Sequence, residues 1–289
     1  MALLLPLLFL AATPCPRGER IMTWQGMTMR RHEAPEGMDG VTISFCRAGG
    51  LVRRFDQPDA LRWDGFKVLD LDGDGQPELA SSYWTGGAHC CFTQVVFRTN
   101  GKGGVIATRL AQQDYGESSW RRLPGYPRPV MLLYDFSSAY AFGGFAETVT
   151  MPYVVEIGPQ GFRLAAQLMQ AREPGWGPAA LRDGPAAWAS FLRRNDGNDT
   201  RLARVQAPEK RLEALHGLVK DDPGKGVLLR AAEEHIKLYC YYDARCDVPG
   251  LIRAIEGPRP GMLGGFPELV KTMRESNISK LRRAPAGWR

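Results

Sequence analysis

From about residue 20 to residue 170 the chain alternates apolar and polar positions over short distances, with breaks at Gly, Pro, Asp and Asn. Alternation at a period of two marks a half-buried strand. Val41–Phe45, Phe66–Asp70, Gln94–Arg98, Val130–Tyr134 and Tyr153–Ile157 fit it, and Asn100-Gly101 and Gly158–Gly161 carry hairpin-turn residues. The spacing changes after the linker-like stretch Glu173–Pro178. Apolar residues then recur at helical intervals: Trp188, Phe191 and Leu192, then Leu212, Leu215 and Val219, then Leu228, Ala231, Ala232 and His235. Asp247 ahead of Val248-Pro249 has the form of a helix start, as does Gly265-Phe266-Pro267. The pattern predicts an α+β chain, with a β-rich domain over 20–172 and a small helical domain over 173–289.

The β-rich part carries a faint internal repeat. Gln94–Ala107 aligns with Pro152–Ala165 at an offset of 58 residues (94 to 152), and Gln76–Leu79 with Arg128–Met131 at an offset of 52 (76 to 128). An insertion between the two blocks reconciles the offsets. Read as a duplication, this predicts two propeller-blade-like strand–turn–strand units, 66–107 and 118–165; chance likeness between two hairpins is the competing reading.

Composition fits this picture. In 289 residues, 44% hydrophobic and 24% charged are enough for a packed core, and 33 Gly with 21 Pro favour a turn-rich β architecture over a helical bundle. Met1–Ala12 is a short apolar run ending in small residues, too short to span a bilayer but suited to a secretion signal, placed at 1–14. No later stretch is long enough to cross a membrane, so the chain is expected to be exported, to the periplasm or beyond. Export favours paired cysteines. Cys240 and Cys246 form a local staple, and Cys46 is expected to reach Cys90 or Cys91; Cys15, if it survives processing, takes up the thiol left over.

The net charge is +6, and most of it lies between Lys271 and Arg289. Such a basic tail suits anionic lipid or polysaccharide, and it also suits a simply solvated end. Basic and aromatic residues are not interleaved as nucleic-acid binders require, so nucleic acid is not an expected partner.

The most specific signal is Asp70-Leu-Asp72-Gly-Asp74-Gly75-Gln76-Pro77-Glu78. Carboxylates at the first, third and fifth places converge on one point when a glycine allows the sharp turn, and the Gln76 carbonyl and Glu78 carboxylate complete an oxygen cage for a hard cation. An EF-hand needs a bidentate Glu at the twelfth place, where this chain has Ser81, and helical flanks where these read as strands. The loop resembles the calcium loops of integrin-type FG-GAP and VCBS repeats, which carry Asp-x-Asp-x-Asp-Gly-x-x-Asp between strands; Glu78 stands where Asp is usual. The resemblance covers about residues 66–98 and implies a Ca²⁺ ion clipping a hairpin of a propeller blade. The second copy should hold no ion, because Asp70, Asp72, Asp74 and Glu78 fall on Arg122, Pro124, Tyr126 and Val130. Proline stiffness and packing of Tyr126 are expected to hold that turn instead.

Trp84–Cys91 is similar to a segment of exported bacterial proteins of unassigned function that carry Gly-Gly-Ala-His-Cys-Cys after such a loop. His89 beside two thiols has the elements of a zinc site or of a nucleophile and base. Adjacent cysteines on a strand point to opposite faces, which favours a disulfide to a neighbouring strand. His32, His216 and His235 stand alone. The aromatic stripe from Tyr134 to Phe145 suits sugar stacking or the core face of a strand pair, and Asp135 with Glu147 offers a carboxylate pair for glycoside cleavage. No nucleotide-binding glycine loop, nucleophile elbow or paired-His zinc helix is present in the sequence. The expected function is therefore an exported, calcium-stabilised β-module that binds an envelope glycan, anionic lipid or another envelope protein. A cell-envelope hydrolase is the rival.

Overall fold

The structure, a computed structural model, describes residues 13–33, 39–86, 91–113, 120–123, 126–136, 138–144, 151–169, 216, 225–242, 246–257, 267–277 and 281. The chain is α+β, with a β-rich N-terminal region and a small helical C-terminal region. Four strands come first: β1 (Glu19–Trp24), β2 (Met27–Glu33), β3 (Val41–Arg47) and β4 (Gly50–Gln57), joined as an antiparallel meander in the order β1-β2-β3-β4. The β1–β2 turn is Gln25-Gly26, both at positive φ (48° and 72°), the backbone twist that two-residue hairpins favour.

Seven strands form the second sheet: β5 (Arg62–Leu69), β6 (Glu78–Trp84), β7 (Phe92–Thr99), β8 (Val105–Gln113), β9 (Met131–Asp135), β10 (Met151–Gly158) and β11 (Gly161–Leu164). Their spatial order is β11-β10-β9-β8-β7-β6-β5, so this sheet too is an antiparallel meander. Among the described residues, β8 and β9 are joined by the single pair Gln113 with Asp135, which divides the sheet into two halves.

The halves are the two copies of the repeat. Leu69 pairs with Glu78 across the acidic loop, and Arg121 pairs with Val130 across its counterpart, both displaced by 52 residues. Leu79 pairs with Phe97 in the first half; Met131 pairs with Val155 in the second, at the same two offsets, and the next four pairs along the ladder correspond as well. Chance similarity of hairpins does not fix a common register over two elements and a loop. The final turns differ slightly: Thr99 pairs with Val105 in the first copy, and Ile157 with Phe162 in the second, a loop one residue shorter.

Alternation along the strands sorts the core into layers. One face of the first half, with Leu79, Tyr83, Val95 and Phe97, meets Trp24, Met27, Ile43, Phe45 and Phe55 of the first sheet. Phe97 sits among Phe45, Phe55 and Phe66 at ring-centroid distances of 5.1, 4.9 and 5.9 Å. On the other face Ala80 and Val96 pack with Leu71 and with Ile157 of the second copy. The second half, with Val130, Leu133, Tyr153 and Val155, is covered by helices. These are α1 (Ala166–Met169), α2 (Lys225–Tyr242), α3 (Val248–Glu256) and α4 (Pro267–Glu275). α3 starts as its sequence predicts: the Asp247 side chain accepts from the Gly250 N–H at 3.0 Å, with Pro249 in the first turn. α4 starts at Pro267.

Several expectations are corrected. The first four-stranded sheet lies outside the two predicted repeat units, so the β-rich part holds three meanders. Cys46 pairs with Cys15, not with Cys90 or Cys91 (S–S 2.02 Å), whereas Cys240 and Cys246 pair as expected. Cys91 is also disulfide-bonded; Cys90 and His89 lie outside the described residues. At the N-terminal end the Leu51 N–H donates to the Thr13 carbonyl at 2.8 Å and Pro14 bridges to Gly50. In its described residues the aromatic stripe is not a strand pair: the chain leaves β9 at Asp135, turns at Phe136–Ala139 and Ser138–Ala141, and exposes Tyr140 at φ 64°. The linker at 173–178, the apolar residues at 188–192 and 212–219, and the tail beyond 281 lie outside the described residues.

Candidate metal centre

The acidic loop joins β5 to β6, the first two strands of the duplicated unit. Its carboxylates are turned inward by their own backbone. Asp70 Oδ1 accepts from the Gly73 N–H at 2.8 Å, Asp72 Oδ1 from the Asp74 N–H at 3.2 Å, and Asp74 Oδ1 from the Gln76 N–H at 2.7 Å. Successive Asx turns of this kind wind the chain tightly, and Gly73 and Gly75 take the positive φ values of 80° and 83° that the winding needs. Leu71, fully buried, pins the start of the loop into the core beside Ile157.

Of the predicted ligands, Asp70, Asp72 and Glu78 come together, each with a carboxylate oxygen within 4.8 Å of the others. Asp74 is not part of that group, and the Gln76 side chain is exposed. Glu78 is the buried member, at 3% exposure, and its Oε2 accepts from the Leu71 N–H at 2.6 Å. Burial pushes its carboxyl above the usual range, with the Asp72 and Asp74 charges adding to the shift against the pull of the Leu71 hydrogen bond. Three carboxylates at such separations suit a hard, oxygen-seeking cation: a divalent ion offsets both their mutual repulsion and the desolvation of Glu78.

The loop is also where the three meanders meet. From the first sheet, the Trp24 indole and the Gln25 amide both donate to the Pro77 carbonyl, at 2.8 and 3.2 Å. From the second copy, Arg122 donates to the Asp70 carbonyl at 3.4 Å and Arg128 to the Asp72 carbonyl at 3.0 Å. The Arg98 guanidinium on β7 lies 4.0 Å from Asp72 Oδ2 and donates to the carbonyls of Gly158 and Pro159 at the β10–β11 turn. The loop's carboxylates thus face one another while its carbonyls anchor the neighbouring units.

The second copy carries a different set of charges. Arg122 and Arg128 stand where the first copy has Asp70 and Gln76, and Glu156 stands where it has Arg98. Glu156, 5% exposed, accepts from the Tyr126 hydroxyl at 2.7 Å and from Arg163 at 2.8 Å, with Arg128 at 3.5 Å. The expectation that Pro and Tyr packing hold this turn is therefore incomplete: the buried Glu156 carboxylate, paired with the partly exposed Arg163 and Arg128, closes it, and Tyr126 takes part through its hydroxyl. Pro124 lies outside the described residues. Trp24, Gln25, Arg98 and the two loop arginines are the residues that sequence reasoning missed. Only the alignment of the two copies pointed toward Arg122.

Asp135, the predicted member of a glycosidase pair, has 0% exposure and forms an ion pair with Lys237 at 3.4 Å, so it lines no open cleft; Glu147 lies outside the described residues. His32 is bonded to Ser44 at 2.8 Å, His216 to the Ala254 carbonyl at 2.8 Å, and His235 is buried. No protein-family model matches the chain, and neither a curated protein nor a solved structure does.

Proposed function

We propose that this chain is an exported β-module whose acidic loop binds one Ca²⁺ ion in the manner of FG-GAP and VCBS calcium loops, and that the module acts by binding in the cell envelope rather than by catalysis. The observation that carries the reading is the convergence of Asp70, Asp72 and Glu78 within 4.8 Å at the junction of three meanders. Asp70, Asp72 and Glu78 would hold the ion, with Asp74 and the Gln76 carbonyl recruited on binding. The ion would neutralise the loop and fix the carbonyls on which Trp24, Gln25, Arg122 and Arg128 dock. The Cys15–Cys46 and Cys240–Cys246 disulfides suit an oxidising compartment, and among the described residues no helix is long and apolar enough to cross a membrane. A leader cleaved after Ala12 would leave the Thr13 and Pro14 pairing and the Cys15–Cys46 bridge intact. The partner in this reading is an envelope glycan, an anionic lipid surface or another envelope protein.

Calcium-dependent stability tests the site. Loops of extracellular modules bind calcium at roughly 0.1–1 mM, so millimolar calcium should stabilise the fold by about 0.5–1.5 kcal/mol through mass action. The wild-type melting temperature is expected to rise with calcium and to return to its starting value with chelator. The double variant Asp70→Ala, Asp74→Ala should show no shift, and a calcium response that survives in it rules out this loop as the site.

A further inference from the structure

Cys91 lies between β6 and β7, one residue ahead of Phe92, and it is disulfide-bonded. Its partner follows by elimination. The chain has six cysteines; Cys15 is bonded to Cys46 and Cys240 to Cys246, which leaves Cys90. Because Cys91 precedes the strand, the alternation that would turn adjacent cysteines to opposite faces does not apply to it.

We infer that Cys90 and Cys91 form a vicinal disulfide, and that this bridge is a thiol-exchange site for a dithiol reductant rather than a staple of the fold. A disulfide stabilises by closing a loop in the unfolded chain, an effect that grows with the length of the loop. Cys15 and Cys46 are 31 positions apart, and their bridge ties the N-terminal segment to β3; Cys240 and Cys246 are 6 apart and join the end of α2 to the start of α3. A bridge between neighbours encloses no intervening residue and joins no two elements, so chain closure gives it almost no stabilising effect.

The same adjacency makes it labile. Disulfides ordinarily hold their Cα atoms about 4.4–6.8 Å apart, and the other two bridges do so, at 5.7 and 4.5 Å. Consecutive Cα atoms are at most about 3.8 Å apart. A bridge between them is strained, and strained bridges are the more readily reduced. Cys91 is also partly exposed, whereas Cys46, Cys240 and Cys246 are buried. The hairpin does not depend on the sulfurs: the Thr85 N–H and hydroxyl both donate to the Cys91 carbonyl, at 3.0 and 2.8 Å, and Trp84 pairs with Phe92. In the exchange a thiolate of the reductant attacks one sulfur, the Cys90–Cys91 bond breaks, and the second thiol of the reductant resolves the mixed disulfide. Two electrons and two protons pass to the protein, which gains two thiols while the reductant becomes a disulfide.

The test is graded reduction of the oxidised full chain with dithiothreitol, followed by alkylation and peptide mapping. Before reduction, the peptide bearing Cys90 and Cys91 should carry no alkyl group and no link to another peptide. Both cysteines should then alkylate at dithiothreitol concentrations about tenfold below those that open the other bridges, with the melting temperature unchanged. Cys90→Ser should present Cys91 as a single reactive thiol. Cys91 alkylated before reduction, cross-linked to another peptide, or still blocked in Cys90→Ser would overturn the pairing. Opening only together with the other two bridges, or a melting temperature that falls as this bridge alone opens, would overturn the exchange site.

Discussion

Replacing Phe97 with Ala is expected to cost about 3–5 kcal/mol, the usual range for emptying a buried aromatic site. Phe97 is fully buried and belongs to the core cluster that joins the two sheets, in contact distance of Phe45 and Phe55 from the first sheet and of Phe66 from its own. Tilted and edge-on aromatic pairs of this kind add to the area they bury. The first sheet contributes Trp24 and Gln25 to the acidic loop, so loosening the sheet contact should also weaken any calcium response. Denaturant unfolding with and without calcium reads both effects. A loss below about 1 kcal/mol would mean that the two sheets are not held together through this residue.

Lys237→Met should be comparably damaging. Methionine keeps much of the apolar stem but removes the ammonium that pairs with both Asp135 and Glu233. Breaking a buried pair by removing one partner typically costs about 3–5 kcal/mol. The loss should be partly relieved on acidification, since protonating the remaining carboxylates removes their repulsion. Helix α2 contributes Leu228, Leu229, Ala232 and Ile236 to the core under the second repeat copy, so its release would uncover Tyr153 and Val155. Circular dichroism melts at acid and neutral pH measure both the loss and the relief. A variant as stable as the wild type at neutral pH would show that the cluster contributes little to docking.

Much of the β-rich region could be read from the chain because its strands alternate plainly. Val41–Phe45, Gln94–Arg98 and Tyr153–Ile157 all fall inside observed strands, and the 52- and 58-residue offsets reappear as pairing registers. The first sheet was harder. β2 and β4 carry adjacent arginines, Arg30-Arg31 and Arg53-Arg54, and only Phe55 and Gln57 of β4 are buried, so burial enforces little alternation there. The acidic loop is local, and its spacing alone located Asp70, Asp72 and Glu78. The residues that meet it are not local: Trp24 and Gln25 lie about fifty positions upstream of Pro77, and Arg122 and Arg128 a similar distance downstream of the carbonyls they grip. The Cys15 partner of Cys46 and the Ser138 partner of Lys237, 99 residues away, are set by topology in the same way, and no sequence pattern marks them.

The first copy should hold a single divalent-cation site and the second none. Isothermal titration of calcium into the chelator-treated chain tests it most directly. One ion per chain is expected, with millimolar to submillimolar affinity, lost in the Asp70→Ala, Asp74→Ala variant and unaffected by Arg163→Gln in the second copy. Absence of binding, or two ions per chain, would contradict it.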